Sequence, residues 1–149
     1  MSSVISKYGT GRFNKEYFMT RSEAREQAFI VLFERIFNSD LTIAEIIDAA
    51  QEEGLIKING FAASLLKNAQ ENEEAIDMLI SENLKGWAIN RLPKVSLAIM
   101  RLAVSEMLYI DEVPVGVSVN EAVELAKKYG TADDATYING VLGAIAKSL

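Results

Sequence analysis

The chain has 149 residues, half of them hydrophobic, and this length and composition fit a single soluble globular domain. It contains no cysteine and no histidine, which excludes disulfides, thiolate metal sites and the commonest general base. The formal net charge is −6, and no hydrophobic run has the length of a membrane span or the pattern of a signal peptide. We therefore expect a cytoplasmic protein with no membrane association, no metal site and no cofactor.

The charge is unevenly distributed along the chain. Residues 1–18 carry a net +2 without a clear hydrophobic period, which predicts a flexible leader. Residues 19–149, which form the predicted domain, carry the remaining −8. Because phosphate contacts supply most of the non-specific affinity for nucleic acid, any nucleic-acid site must be a local patch on an acidic body.

Helix signals begin at Thr20. Capping boxes, in which a threonine oxygen and a glutamate carboxylate satisfy opposing backbone amides, are predicted at Thr20–Glu23 and Thr42–Glu45. Apolar residues at helical spacing then predict the first four helices. These run from Thr20 to about Asn38, from Thr42 to about Gly54, from about Asn59 to Gln70, and from about Glu73 to Leu84.

The fifth predicted helix, from about Lys94 to Tyr109, is apolar nearly all round. A helix of this kind is central and buried. Arg101 interrupts its apolar surface, so its charge should find a carboxylate such as Glu106, Glu121 or Glu124.

Two helices are predicted after the break at Asp111–Pro114. A third capping box at Ser118–Glu121 predicts a helix over 122–129 that ends at Gly130. The last helix should begin at Thr131 or Asp133 and continue to the C-terminus. No segment has convincing strand periodicity, so the sequence predicts an all-α protein.

The last predicted helix contains Gly140 and Gly143, although an interior glycine costs roughly 1 kcal/mol relative to alanine. Asn139-Gly140 is also a frequent hairpin-turn dipeptide, but Ile138 and Leu142 recur at helical spacing and favour a helix. A glycine here permits the close approach either of a neighbouring helix or of a ligand backbone. The sequence leaves both explanations open.

Several collinear segments resemble the NusB family of bacterial transcription antitermination factors. The most specific are Val119–Ala122, followed by Ala126-Lys127, and Tyr137–Leu142, where the family has Phe-Val-Asn-Gly-Val-Leu. The resemblance covers residues 19–149. It implies an all-α fold, a compact bundle of about seven helices in two sub-bundles, and no catalytic activity.

The resemblance also implies partners. NusB pairs with the ribosomal protein NusE, and the pair binds the boxA element of nascent RNA, notably in ribosomal RNA operons. The complex joins other Nus factors on RNA polymerase and suppresses termination, and some family members form homodimers. The alternative is a NusB-like module that binds protein, with little direct RNA binding.

The candidate RNA-binding residues come from the same resemblance. They are Arg21, Arg25, Asp133, Tyr137, Asn139 and Gly140. Arginine clamps phosphates and stacks on bases, and an aromatic face stacks on an unpaired base. The alternatives are pairing of the arginines with nearby carboxylates, a helix cap at Asp133, and ordinary packing at Tyr137 and Gly140.

The candidate partner-binding residues are Phe33, Trp87 and Asn90. In the family, these zones face the protein partner or support the face that does. For Trp87, an ordinary core position is the alternative. Ser22 and Glu23 interrupt the arginine cluster that some family members have, so the predicted basic patch is small.

Overall fold

The structure, a computed structural model, describes residues 18–149. Its α-helices are α1 (Arg21–Phe37), α2 (Ile43–Glu52), α3 (Gly60–Glu71), α4 (Glu73–Glu82), α5 (Lys94–Tyr109), α6 (Val115–Tyr129) and α7 (Ala132–Ser148). A 3-10 helix at Ile89–Arg91 lies between α4 and α5. These described residues contain seven α-helices and no strand, which confirms the predicted fold class. The predicted leader lies, apart from Phe18, outside the described residues.

The chain divides into two compact units. The first ends at Lys67 and the second runs from Asn68 to Leu149. In the first unit, α1 packs against α2, and the buried Gln27 accepts a hydrogen bond from the Lys57 backbone N–H at 3.1 Å. That bond holds the segment before α3 against α1.

Capping boxes open α1 and α2 as predicted. Thr20 Oγ1 accepts from the Glu23 backbone N–H at 3.1 Å, and the Glu23 carboxylate accepts from the Thr20 N–H at 3.2 Å. Thr42 and Glu45 form the same pair of bonds at 3.1 and 3.0 Å. The Thr42 backbone N–H holds the pKa of Glu45 below its usual value, because it stabilises the charged carboxylate.

Helix α5 is the core of the second unit. Of its 16 residues only Lys94 is exposed, and α4, α6 and α7 all pack against it. The observed bounds, Lys94–Tyr109, are those predicted from the sequence. The central place of this helix within its unit follows from its lack of a polar face.

Arg101 pairs with α4, so the partners predicted for it are wrong. Its Nε and Nη2 donate to the Asp77 carboxylate at 2.9 and 2.8 Å, and Glu73 lies 3.6 Å from Nη2. Asp77 and Glu73 are four residues apart and therefore share the face of α4 that packs on α5. The expected partner Glu106 lies instead in the buried part of α5.

Helix α6 begins three residues before the predicted capping box at Ser118–Glu121, so that box is wrong. Pro114 immediately precedes Val115 with φ −59°, a conformation suited to a helix start. Ser118 lies inside the helix and is 1% exposed, and its hydroxyl has no hydrogen-bond partner among residues 18–149. The Ser-x-x-Glu pattern therefore lies inside the helix and does not mark its start.

Of the two caps predicted for α7, Thr131 is the one used. Its Oγ1 accepts from the Asp134 N–H at 3.1 Å, and the Asp134 carboxylate accepts from the Thr131 N–H at 2.9 Å. A Cβ at Gly130 would lie 2.9 Å from that carboxylate and 3.1 Å from the Ala126 carbonyl oxygen. Glycine therefore permits the tight turn that sets α7 against α6.

Leu102→Ala should lower the free energy of unfolding by about 2–5 kcal/mol. Leu102 lies in α5 and is 3% exposed, so the substitution leaves a cavity in the core of the second unit. Urea denaturation followed by circular dichroism measures the loss. Met78→Ala, at a site 64% exposed on α4, is the control, and we expect a change within about 0.5 kcal/mol. A comparably small loss for Leu102→Ala would contradict the central place of α5.

Candidate nucleic-acid interface

The two predicted arginines of the first unit meet on one aromatic ring. The Arg21 Cζ lies 4.4 Å and the Arg25 Cζ 5.2 Å from the centre of the Phe61 ring. Guanidinium groups at such distances are attracted to the negative face of the ring. Phe61, in the first turn of α3, therefore positions both arginines.

Arg21 and Arg25 differ in their access to solvent. Arg21 is exposed, whereas only 5% of Arg25 is exposed. The structure thus gives Arg21 the larger exposed surface for an external anion, and Arg21 is also the closer of the two to the centre of the Phe61 ring.

Four candidate residues of the second unit lie on α7. Asp133, Tyr137 and Gly140 are spaced i, i+4 and i+7, so they form one stripe along the helix. Asn139 falls on the adjacent stripe, beside Thr136. Asp133, Asn139 and Gly140 are exposed, and Tyr137 is half-buried. Since Asp134 completes the helix cap, Asp133 is not used as a cap.

Close helix packing does not explain the glycines of α7. A Cβ added at Gly140 or Gly143 would meet no described heavy atom within 4 Å. Both residues lie inside regular helix, so the Asn139-Gly140 pair does not form a turn. The result is a strip of α7 surface without side chains, exposed at Gly140 and half-buried at Gly143, which leaves room for an approaching ligand backbone.

The Tyr137 hydroxyl is inaccessible to solvent. It forms no well-aligned hydrogen bond with any residue that the structure describes. Burial raises the pKa of Tyr137, an effect that the nearby Lys85 backbone only partly offsets. The hydroxyl thus faces the segment that follows α4.

Two predicted partner-binding residues, Trp87 and Asn90, lie in the segment between α4 and α5. Gly86 has φ +78°, a left-handed conformation that favours glycine. Trp87 follows it and is 55% exposed, which excludes an ordinary core position. Asn90 is exposed in the 3-10 helix.

The third predicted partner-binding residue, Phe33, is in the first unit and is only 8% exposed. It stacks on Phe29, with ring centres 5.7 Å apart, and meets Phe37 edge-on at 5.3 Å. Phe37 is 53% exposed and forms the surface end of this aromatic row. Phe33 therefore supports a surface that Phe37 presents.

Asn139 also lines a groove of about 650 Å³ between α6 and α7.

Among the described residues, no group of three or more His, Cys, Asp or Glu side chains is arranged to hold a metal ion. None of the described helices is both long and apolar enough to cross a membrane.

Comparison with known sequences shows clear relatives. Residues 22–147 match the model of the NusB family. The chain is 38% identical over 135 residues to the transcription antitermination protein NusB of Natranaerobius thermophilus, covering 88% of this chain and 97% of that protein. It is 40% identical over 127 residues to the Bacillus subtilis protein of the same name, covering 85% and 95%.

Solved structures share the fold. The chain is similar to T. maritima NusB with a TM-score of 0.78 and 32% identity, covering 88% of this chain and 93% of that one. It is also similar to a chain in the crystal structure of the antitermination factors NusB and NusE in complex with dsRNA. That match has a TM-score of 0.76 and 31% identity, and covers 88% of this chain and 100% of that one.

Tyr137→Phe should raise the free energy of unfolding at neutral pH by about 1 kcal/mol, because it removes a buried hydroxyl without a good hydrogen bond. The pKa of Tyr137 is raised above 10.0 in the folded protein. The unfolded chain therefore loses its proton first, and wild-type stability falls as the pH rises above that value.

Urea unfolding at neutral pH and above pH 10 measures both effects, with Tyr109→Phe as the control for loss of a phenol. A stability advantage of Tyr137→Phe over wild type that does not grow at the higher pH would contradict the raised pKa.

Proposed function

The chain belongs to the NusB family, and from this membership we propose that it is a transcription antitermination factor that binds RNA together with a NusE partner. The observation that carries the proposal is the exposed strip of α7 at Gly140, for which packing supplies no reason. The similar NusB–NusE–dsRNA complex supports both kinds of partner. The finer proposal is that the RNA is boxA of nascent transcripts, notably from ribosomal RNA operons.

Each unit contributes one candidate RNA patch. On the first unit, Arg21 contacts phosphate from its place on Phe61, and Arg25 reinforces that arrangement. On α7, Gly140 lets the RNA backbone approach and the Tyr137 ring stacks on a base. Such a stack is worth roughly 1–3 kcal/mol per base.

The acidic charge of the chain explains why a second protein is needed. Its net charge is −6, so the wider field repels RNA and few phosphates can be neutralised. In this proposal NusE extends the positive surface, and Trp87 and Asn90 contribute to its docking. The completed assembly would then act with other Nus factors on RNA polymerase.

A second candidate function is a protein-binding module with little direct RNA contact. The burial of Arg25 favours it, because one of the two predicted phosphate-binding arginines has little access to solvent. In this case a homodimer or NusE would be the main partner. We propose no catalytic activity, since the sequence offers neither histidine nor cysteine as a base or nucleophile.

Gly140→Leu should weaken RNA binding and leave the protein at least as stable as wild type. The open space at Gly140 accepts the side chain, and leucine is the better helix former by several tenths of a kcal/mol or more. Gly116→Leu is the matched control, since Gly116 is likewise exposed, helical and open. RNA titration and thermal unfolding measure the two properties. Normal RNA binding by Gly140→Leu would remove the main support for the proposal.

NusE should tighten the binding of boxA-like RNA by at least about tenfold, or 1.4 kcal/mol. Because coupling is reciprocal, RNA must tighten the protein pair by the same factor. Fluorescence anisotropy of labelled RNA, at two salt concentrations, measures the affinity of each protein and of the mixture. Equal RNA affinity with and without NusE would contradict the cooperative assembly.

Within the same titrations, Arg21→Ala should weaken RNA binding by the mixture and flatten its salt dependence by about one phosphate contact. Arg21→Lys should recover only part of the loss, since it keeps the charge without the planar donor group. Lys67→Ala removes one exposed positive charge elsewhere and is the control. An equal loss in Arg21→Ala and Lys67→Ala would show that only net charge matters.

A further inference from the structure

The groove between α6 and α7 has a regular construction. Four residues of α6 and four of α7 line it, and in each helix they are spaced i, i+3, i+4 and i+7. Each set therefore forms one helix face. Its volume of about 650 Å³ falls within the range of about 300–1,000 Å³ that is typical of small-ligand sites.

Two amide side chains lie at one end of this groove. Asn120 is the first groove residue of α6, and Asn139 is the last of α7. The helices pack together and are joined only by Gly130 and Thr131, so they form a hairpin in which these ends coincide. Within residues 18–149, neither amide has a hydrogen-bond partner. Both are exposed and available to a ligand.

The remaining lining combines apolar and polar surface. Val123 and two alanines supply apolar walls. The Thr136 hydroxyl donates to the Ala132 carbonyl oxygen at 3.2 Å, so its own oxygen remains an acceptor. The groove thus offers donors and acceptors for the edge of a flat, uncharged group.

The charges at the groove nearly cancel. Lys127 Nζ lies 3.3 Å from a Glu124 carboxylate oxygen, and their side chains are 60% and 69% exposed. Such a surface pair is weak and leaves the lysine free to exchange partners. The carboxylate disfavours a phosphate inside the groove, whereas Lys127, near the turn, can hold one at the rim.

We propose that this groove is a subsite for one unpaired base of the bound RNA. Asn120 and Asn139 hydrogen-bond the base edge, Val123 packs on the base, and Lys127 contacts the neighbouring phosphate. Proteins read RNA sequence largely through unstacked bases whose edges are free. The inference rests on the proposed RNA binding. It adds a site that recognises one base, next to the strip of α7 at Gly140.

The test is an abasic scan of boxA-like RNA in the presence of saturating NusE. RNAs lacking the base at each successive position are titrated with wild type, Asn120→Ala and Asn139→Ala. An amide that pairs with a base edge is worth about a fivefold change in affinity or more. Each variant should therefore lose at least about fivefold on intact RNA. At one position the abasic RNA should bind wild type and both variants equally.

Matched controls separate this effect from charge and folding. Lys127→Gln should weaken RNA binding more than Lys128→Gln, because the two remove the same charge and only Lys127 lines the groove. Gln51→Ala removes an exposed amide from the first unit and should have no effect. The asparagine variants should fold, since alanine is the better helix former.

The outcomes distinguish the subsite from the proposed function. Wild-type RNA binding that neither asparagine variant changes overturns the subsite alone. Equal losses by the variants on intact RNA and on every abasic RNA also overturn it. If the variants weaken NusE binding without RNA, the groove is a protein contact and the subsite is wrong. If wild type with NusE binds no RNA at all, the proposed function fails and the subsite fails with it.

Discussion

Helix α5 determines the arrangement of the second unit, because nearly every face of it must be covered. Only Lys94 of its 16 residues is exposed, and α4, α6 and α7 supply the cover. Arg101 adds a directional requirement, since a poorly solvated guanidinium needs a carboxylate. Its two bonds to Asp77 fix which face of α4 meets α5. Because the segment that contains Trp87 follows α4, these bonds also help to fix the position from which that segment starts.

The features that the sequence predicted well depend on residues close together in the chain. A capping box requires two residues three apart, and Thr20 and Thr42 have them. The bounds of α5 followed from Pro93 at its start and from a mostly apolar segment that ends at the break Asp111–Pro114. The same local rule failed at Ser118, because Pro114 had already provided a helix start. A local pattern has no means of showing which of two adjacent starts is used.

The features that the sequence missed join residues far apart. Arg101 pairs with Asp77, 24 positions away, and Arg21 stacks on Phe61 in another helix. One sequence shows the residue types but not which distant residue each one meets. Whether Gly140 meets a neighbouring helix likewise depends on packing. No heavy atom of residues 18–149 lies within 4 Å of a Cβ placed there, so no described helix gives that explanation. The sequence could therefore name candidate residues, whereas their exposure and the side chains that support them depend on packing that it does not show.

Under the proposed function, an acidic chain must gain RNA affinity without neutralising many phosphates. Arg21 is the one predicted arginine with substantial exposure, so counterion release contributes little. What α7 and its groove offer instead is an open backbone path at Gly140, the Tyr137 ring and two amides that have no partner among residues 18–149. These groups favour particular bases and shapes rather than negative charge as such. It follows that the basic partner supplies most of the attraction for RNA, and this chain supplies the discrimination between RNA sequences.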